Sequence, residues 1–266
     1  MSDRYAVIGN PVAHSKSPEI HAAFARATGQ DIQYGRLESP LDGFAQTVAR
    51  FRTDGGKGAN VTLPFKHEAF RLCAQVSERA RVAQAVNTMR FGDSFGDNTD
   101  GVGLVRDLEQ HGTRLGAAKV VLLGAGGAAQ GVVGALLEAG VARLVIANRT
   151  VDKARALAAR FAGVTGCGYE ELAGERFDLV INATSAGLAG EAPPVPPHVL
   201  KNARLAYDMV YGRDTPFLAM ARHAGVRAID GLGMLVEQAA ESFELWRGKR
   251  PATGAILAEL RERHPA

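Results

Sequence analysis

Short apolar runs alternate along the chain with stretches in which apolar residues recur every three or four positions. Tyr5–Gly9, Ile32–Leu37 and GANVTL (58–63) have the strand pattern. Between them lie helical stretches, one opening after HSKSP and one at Phe44–Phe51. In the first helix Ile20, Ala23, Phe24 and Ala27 fall at i, i+3, i+4 and i+7, one face of a 3.6-residue period. Lys66–Val76 and Ser77–Ala83 read as further helices, and VNTMRFGDSFGD as a hairpin turning at Gly92-Asp93. A second series opens at Lys119: strand, glycine turn, helix, then Gly140 as a stop. RLVIANRT, FDLVINAT, ARLAYDMVY and VRAID supply strands, and Val151–Phe161 a helix. TPFLAMARHAG is a helix with Thr215 as N-cap, Pro216 at its first position and Gly225 beyond its end. Leu232–Trp246 closes the pattern with Leu232, Leu235, Val236, Ala239, Phe243 and Trp246 on one stripe, and PPVPP (193–197) is a loop. Strands alternating with helices predict an α/β fold with parallel sheets covered by helices.

Composition narrows the function classes. At 266 residues and 46% hydrophobic, the chain can bury a core in one large or two small domains. No apolar run approaches the roughly 20 residues that span a bilayer, and MSDRYAVIGN enters a strand with no leader-like apolar region. Net charge is only +3 with no block of like charge, which predicts no nucleic-acid partner and no membrane partner. Cys73 and Cys167 stand far apart and form no metal-ligand spacing, so the reading is a cytoplasmic protein with no metal site.

VVLLGAGGAAQG carries G-x-G-x-x-A at Gly124, Gly126 and Ala129, after a strand and at the opening of a helix, the context that a dinucleotide-binding turn requires. Gly124 permits the tight turn, and Gly126 lets the backbone approach a pyrophosphate seated on helix N–H groups. The next strand decides the nucleotide. NAD binders place an acid at its end, but here it ends Asn148-Arg149-Thr150, with Lys153 one turn on and no acid before Asp152. Arg149 and Thr150 suit a 2′-phosphate, so NADP is favoured in a Rossmann-type domain.

Three polar clusters stand at strand ends. Ser17 before Pro18 reads as an N-cap, yet Ser15 and Ser17 also put two hydroxyls beside free helix N–H groups, a place for a carboxylate. Asp100, in GDNTDGVG, caps a helix or serves chemistry. The third cluster, NVTLPFK, places Lys66 in the first turn of a helix, where the dipole disfavours a cation.

GNPVAHSKSPEIH, GGKGANVTLPFK, AVNT, GDNTDGVG, GAGGAAQGV, NRT, INATSAG, YDMVY, TPFL and DGLGMLVEQAA follow in order over nearly the whole chain. In these motifs the sequence resembles the shikimate dehydrogenase family. The resemblance implies NADPH-dependent reduction of 3-dehydroshikimate to shikimate in aromatic amino-acid biosynthesis, by a monomer or homodimer. It makes Lys66 the acid/base group and Asp100 its partner. It assigns Ser15, Ser17, Asn60, Thr62, Asn87, Tyr211 and Gln238 to the substrate beside that pair. To the cofactor it assigns residues 124–129 (Gly124, Ala125, Gly126, Gly127, Ala128, Ala129), Asn148, Arg149, Thr150, Lys153, Met209 and Gly231, together with Glu78, an acid with no evident physical role there. The implied architecture is a substrate domain, residues 1–100 completed by 232–266, and an NADP domain, 101–231, with the reaction in the cleft between them.

The chain departs from the family pattern in three places. Gln84 stands for the glycine of GAVNT, Ala129 for a serine after GAGGA, and Lys153 for an arginine after NRT. A quinate/shikimate dehydrogenase using NAD would favour an acid near Arg149. A non-catalytic NADP sensor would be expected to lack Lys66 or Asp100. A methylenetetrahydrofolate dehydrogenase would leave SKS and GDNTDG unexplained.

Overall fold

Two six-stranded sheets organise the chain, which is known from a computed structural model and described here for residues 2–263. Each sheet belongs to its own unit: one comprises residues 2–103 with Leu235–Leu260, the other Leu104–Met234 with the residues from Arg261.

In the first unit the order is β1 (Asp3–Gly9), α1 (Ser17–Thr28), β2 (Ile32–Glu38), α2 (Phe44–Thr53), β3 (Gly56–Val61), α3 (Lys66–Leu72), β4 (Gln75–Val76), α4 (Glu78–Ala83), β5 (Thr88–Arg90) and β6 (Phe95–Asp97), and α5 (Asp100–Gln110) starts here. The sheet runs β2-β1-β3-β5-β6-β4. The first three strands are parallel, and β5 and β6 add the predicted antiparallel hairpin, with Arg90 opposite Phe95. β1 lies between β2 and β3, and Tyr5 to Ile8 are buried, as a parallel strand with helices on both faces demands.

Three details correct the sequence reading. The helix expected over Lys66–Val76 stops at Leu72, because Cys73 is extended and Gln75–Val76 pairs with β6. On α1 the buried position is Thr28, whose hydroxyl donates to the Phe24 carbonyl at 2.7 Å, while Ala27 is exposed. Ser17 is the first residue of α1, not its cap; Lys16 takes the cap position and offers no side-chain bond.

The second unit continues with β7 (Lys119–Leu123), α6 (Gly127–Glu138), β8 (Arg143–Ala147), α7 (Val151–Ala158), β9 (Val164–Cys167), β10 (Leu179–Asn182), α8 (Pro197–Lys201), β11 (Leu205–Asp208), α9 (Pro216–His223) and β12 (Arg227–Asp230). α10 (Leu232–Arg247) and α11 (Gly254–Arg263) complete the chain. The sheet is wholly parallel in the order β12-β11-β10-β7-β8-β9, two halves wound outward from β7 and β10. Along β7, Val120 and Leu122 enter one core with α6, while Val121 and Leu123 enter the other with Phe217 and Leu218 of α9. This is the doubly wound arrangement, whose ligands sit beyond the strand ends at the point where the winding reverses. α8, α11 and β9 were not anticipated from the sequence; the loop expected over 193–197 gives way to α8 at Pro197.

Candidate active site

β3 ends at Val61, and the chain turns through Thr62, Leu63 and Pro64 into α3. Phe65 anchors the turn: its ring is buried and stacked on Phe44 with centroids 4.8 Å apart. Lys66 therefore begins α3, and no side chain caps that helix. Its Nζ lies 2.5 Å from Asp100 Oδ2, with the two side chains 15% and 9% exposed. Asp100 is itself the first residue of α5, where the dipole favours an anion. Its backbone N–H donates to Asn98 Oδ1 at 3.2 Å. Its other oxygen accepts from Asn87 Nδ2 at 2.9 Å, so both carboxylate oxygens are held. A buried ion pair repays its desolvation only when its spare valences are satisfied this way.

Of the resemblance-derived substrate residues of the first unit, Asn87 touches this pair, and Gln238 and Asn60 bond to Asn87. Asn87 Nδ2 also donates to Gln238 Oε1 at 3.2 Å, so Gln238 is buried within the cluster and is no solvated face of α10. Thr62 is half-buried, and a Cβ on Gly9 would meet its methyl at 2.4 Å; the glycine makes room for the threonine. Ser15 Oγ donates to Ser17 Oγ at 3.2 Å, and Arg36 holds the Ser15 carbonyl through two N–H groups at 3.1 and 2.6 Å. The Asn60 side chain is fully engaged within the protein. Its Oδ1 accepts from Tyr34 at 2.7 Å, and its Nδ2 faces Asn87 O, Thr88 Oγ1 and Ser242 Oγ at 3.0–3.2 Å. Glu78, exposed at the start of α4, pairs with Arg81.

In the second unit the glycine turn fits a dinucleotide phosphate. Gly124 has φ 109°, and a Cβ there would strike Ala183 and Thr184 at 3.1–3.2 Å. A Cβ on Gly126 or Gly127 would meet nothing within 4 Å, so the loop offers bare backbone, and α6 starts without a side-chain cap. Ala125 is buried, Ala128 half-buried, and Ala129 fully buried, as close helix–sheet packing at the third fingerprint position requires. Arg149, Thr150 and Lys153 are exposed at the end of β8 and the start of α7, and Asn148 Nδ2 donates to the Thr150 carbonyl at 2.9 Å. Met209 and Gly231 are brought together: a Cβ on Gly231 would meet the Met209 carbonyl at 2.4 Å. Tyr211 is half-buried in the loop after β11.

That loop rests on residues the sequence reading missed. Asp208 accepts from Asn182 Nδ2 (3.1 Å), the Val210 N–H (3.0 Å) and the Thr215 hydroxyl (2.5 Å). Burial pushes its carboxyl above the usual range, and these three donors offset only part of the effect. Tyr34, Thr88, Thr99 and Ser242 were missed as well; Thr88 and Thr99 lie within AVNT and GDNTDGVG but were given no role, while Tyr34 and Ser242 reach Asn60 from 26 and 182 positions away, outside every motif. No group of three His, Cys, Asp or Glu among the described residues is placed to hold a metal ion.

Three family models cover most of the chain. They describe a shikimate dehydrogenase substrate-binding domain (residues 7–89), a shikimate/quinate 5-dehydrogenase (107–189) and a shikimate 5′-dehydrogenase C-terminal domain (231–261). The NADP(+)-dependent shikimate dehydrogenase of Nitrosospira multiformis is 58% identical over 269 residues, covering 98% of each chain. The chain belongs to the shikimate dehydrogenase family. Solved structures share its fold. The Ael1 enzyme of Pseudomonas putida superposes with a TM-score of 0.92 at 50% identity, covering 97% of this chain and 98% of its own. The Thermus thermophilus shikimate 5-dehydrogenase, solved with NADP(H) and shikimate, gives 0.88 at 35% identity, covering 98% and 99%.

Proposed function

We propose that this chain is an NADP-dependent shikimate dehydrogenase, interconverting 3-dehydroshikimate and shikimate on the way to the aromatic amino acids. The observation that carries the reading is the Lys66–Asp100 pair at 2.5 Å, braced by Asn87, which also holds Gln238. NADPH, when bound, supplies a hydride to the ketone carbon. As that carbon is reduced, its oxygen gains negative charge and needs a proton. The Lys66 ammonium donates it from Nζ, and in the reverse direction the neutral amine takes it back. Asp100 holds the ammonium in place, and Asn87 holds Asp100. Thr62, Asn87 and Gln238 supply partners for the ring hydroxyls, which lose water on entry and must be paired again. Ser15 and Ser17, whose hydroxyls meet at 3.2 Å at the start of α1, bind the carboxylate. Tyr211 completes the substrate set. On the cofactor side, the uncapped start of α6 receives the pyrophosphate, Arg149 and Thr150 the 2′-phosphate, and Met209 with Gly231 the nicotinamide end.

The enzyme works in the cytoplasm on free small molecules, as a monomer or homodimer. No described helix is long and apolar enough to cross a membrane. The test is reduction of NADP, followed by nicotinamide absorbance, with shikimate or quinate as the only substrate and NAD as the alternative acceptor. Shikimate-dependent reduction of NADP is expected. Turnover of quinate alone, or of neither substrate, overturns the reading.

A further inference from the structure

Arg36, on β2, lies outside every motif that carries the family resemblance, yet it holds one of the two serines assigned to the substrate carboxylate. α1 covers one face of β2. The fully buried His21 ring, one turn into α1, lies as a flat slab on Tyr34, with centroids 4.2 Å apart and planes 6° from parallel. Side chains two positions apart on a strand share a face, so Arg36 follows Tyr34 along that face. It meets the chain just before α1, where Ser15 leads into the helix.

Two of its N–H groups, Nε at 3.1 Å and Nη2 at 2.6 Å, donate to the Ser15 carbonyl. The Ser15 N–H is tied to the Val12 carbonyl at 3.1 Å, and its Oγ accepts from the Ser17 N–H at 3.3 Å. Every polar group of Ser15 is thus held, and Arg36 holds the carbonyl. A carbonyl leaves the guanidinium its full charge. No carboxylate among the described residues pairs with Arg36, although Glu38 follows two positions on along the same face. Covalent geometry keeps a serine's carbonyl and hydroxyl oxygens within about 5 Å, which places the guanidinium within about 10 Å of an anion on the Ser15 hydroxyl.

We propose that Arg36 is a specificity-determining residue of the carboxylate site: it fixes Ser15 by the backbone and supplies the positive charge by which the site prefers an anion to a neutral ring. The proposal rests on the functional reading above. Hydroxyls donate to an ester carbonyl as well as to a carboxylate, so the two serines by themselves separate these groups poorly. A fixed cation separates them. At the distance above, a unit charge changes anion binding by about 2- to 15-fold, from a water-like to a surface-like effective dielectric. The carboxylate keeps its charge throughout the reaction. The attraction is therefore the same in ground and transition states, and its loss belongs in KM rather than kcat.

Calorimetric binding of shikimate and of its methyl ester to the wild type, Arg36→Gln and Arg36→Lys tests this, with steady-state kinetics beside it. Arg36 is exposed, so all three proteins are expected to melt alike. Arg36→Gln should weaken shikimate about 2- to 15-fold more than the ester, while kcat and the KM for NADP stay near wild type. Arg36→Lys keeps the charge without the fork and should retain most of the preference for the acid. Added salt should erode that preference in the wild type and leave Arg36→Gln unaffected. An Arg36→Gln protein that binds shikimate as the wild type does overturns the proposal. So does one that loses acid and ester equally, which would make Arg36 a backbone clamp alone, or an Arg36→Lys protein that loses the preference as fully as Arg36→Gln. A wild type that neither binds nor oxidises shikimate overturns the functional reading instead.

Discussion

A lysine at the first position of a helix puts a cation against the positive end of the dipole, a cost of about 0.3–1 kcal/mol. Lys66 meets that cost and is buried besides, so it is held by its contact with Asp100 rather than by its helix. Lys66→Ala is expected to lower kcat about 10²- to 10⁴-fold while the protein still folds. Asp100→Ala should lower it too, and the double variant should lose far less than the product of the two. Steady-state rates and melting curves of the four proteins decide it; a Lys66→Ala enzyme with near-normal kcat sinks the assignment. Gln84 makes a second residue-level case. It stands where the family resemblance has glycine, and its backbone is left-handed, φ 54° and ψ 32°, as the C-cap of α4. Side chains other than glycine are strained there by about 1–2 kcal/mol. Gln84→Gly is therefore expected to raise the melting temperature by a few degrees and Gln84→Ala to leave it unchanged; equal melting of Gln84→Gly and wild type would show that the strain is relieved locally. Lys66 and Asp100 were legible because each sits in a dense motif. Tyr34 and Ser242 were not, because a buried hydroxyl between distant elements leaves no pattern in sequence.

At the scale of elements, periodicity found the parallel strands and the long helices because burial on a sheet or a stripe imposes it. It failed where an element is too short or too weakly sided to show a period. β4 is two residues, and Lys66–Val76 read as one helix because nothing local reveals that Gln75 pairs with Phe95. β9 is four residues, one of them Gly166, where a Cβ would strike the Ala154 carbonyl at 2.4 Å. α11 buries Ile256 and Leu260 among charged neighbours, one pair at i and i+4, too few to stand out. The junction of β8 and α7 was readable, because the identity of the residues there matters more than their period. Arg149 is exposed at that junction, and Asp152 is the first acid beyond it. Arg149→Ala is expected to reduce the preference for NADP over NAD by roughly 10- to 150-fold, the worth of one charge-assisted hydrogen bond at about 1.5–3 kcal/mol. The ratio of kcat/KM values for the two cofactors measures it. An unchanged ratio would leave Arg149 a solvated charge.

Over the whole molecule, buried titratable groups pull acid stability in opposite directions. His21 is pushed by burial down to about 3, with the neighbouring Asn60 side chain offsetting little of it. The unfolded chain, with histidine near 6.5, binds a proton that the folded chain refuses, so stability falls as pH drops from about 6.5 towards 3. Asp97 acts in the same direction at lower pH. Burial pushes its carboxyl up, but Arg79, Ser77 and the Asn98 N–H together hold it below the usual range, so its contribution is lost as pH falls through that lowered value. Asp107 works the other way. Fully buried, it is pushed above the usual carboxylate range by desolvation, against the pull of the Tyr207 hydroxyl at 2.6 Å. Its folded form takes a proton before the unfolded form does, which offsets part of the loss on acidification. Each proton difference changes the slope of stability against pH by at most about 1.4 kcal/mol per pH unit. Urea titrations from pH 7 to pH 4 on three proteins separate these effects. His21→Phe, which keeps an aromatic slab beside Tyr34, is expected to flatten the slope below pH 6.5. Asp107→Asn, which keeps an acceptor for Tyr207, is expected to steepen it in the range just above the ordinary carboxylate value. Should His21→Phe leave the slope as steep as wild type, the buried ring already shares its proton in the folded protein, and its role as a neutral slab beneath Tyr34 is wrong.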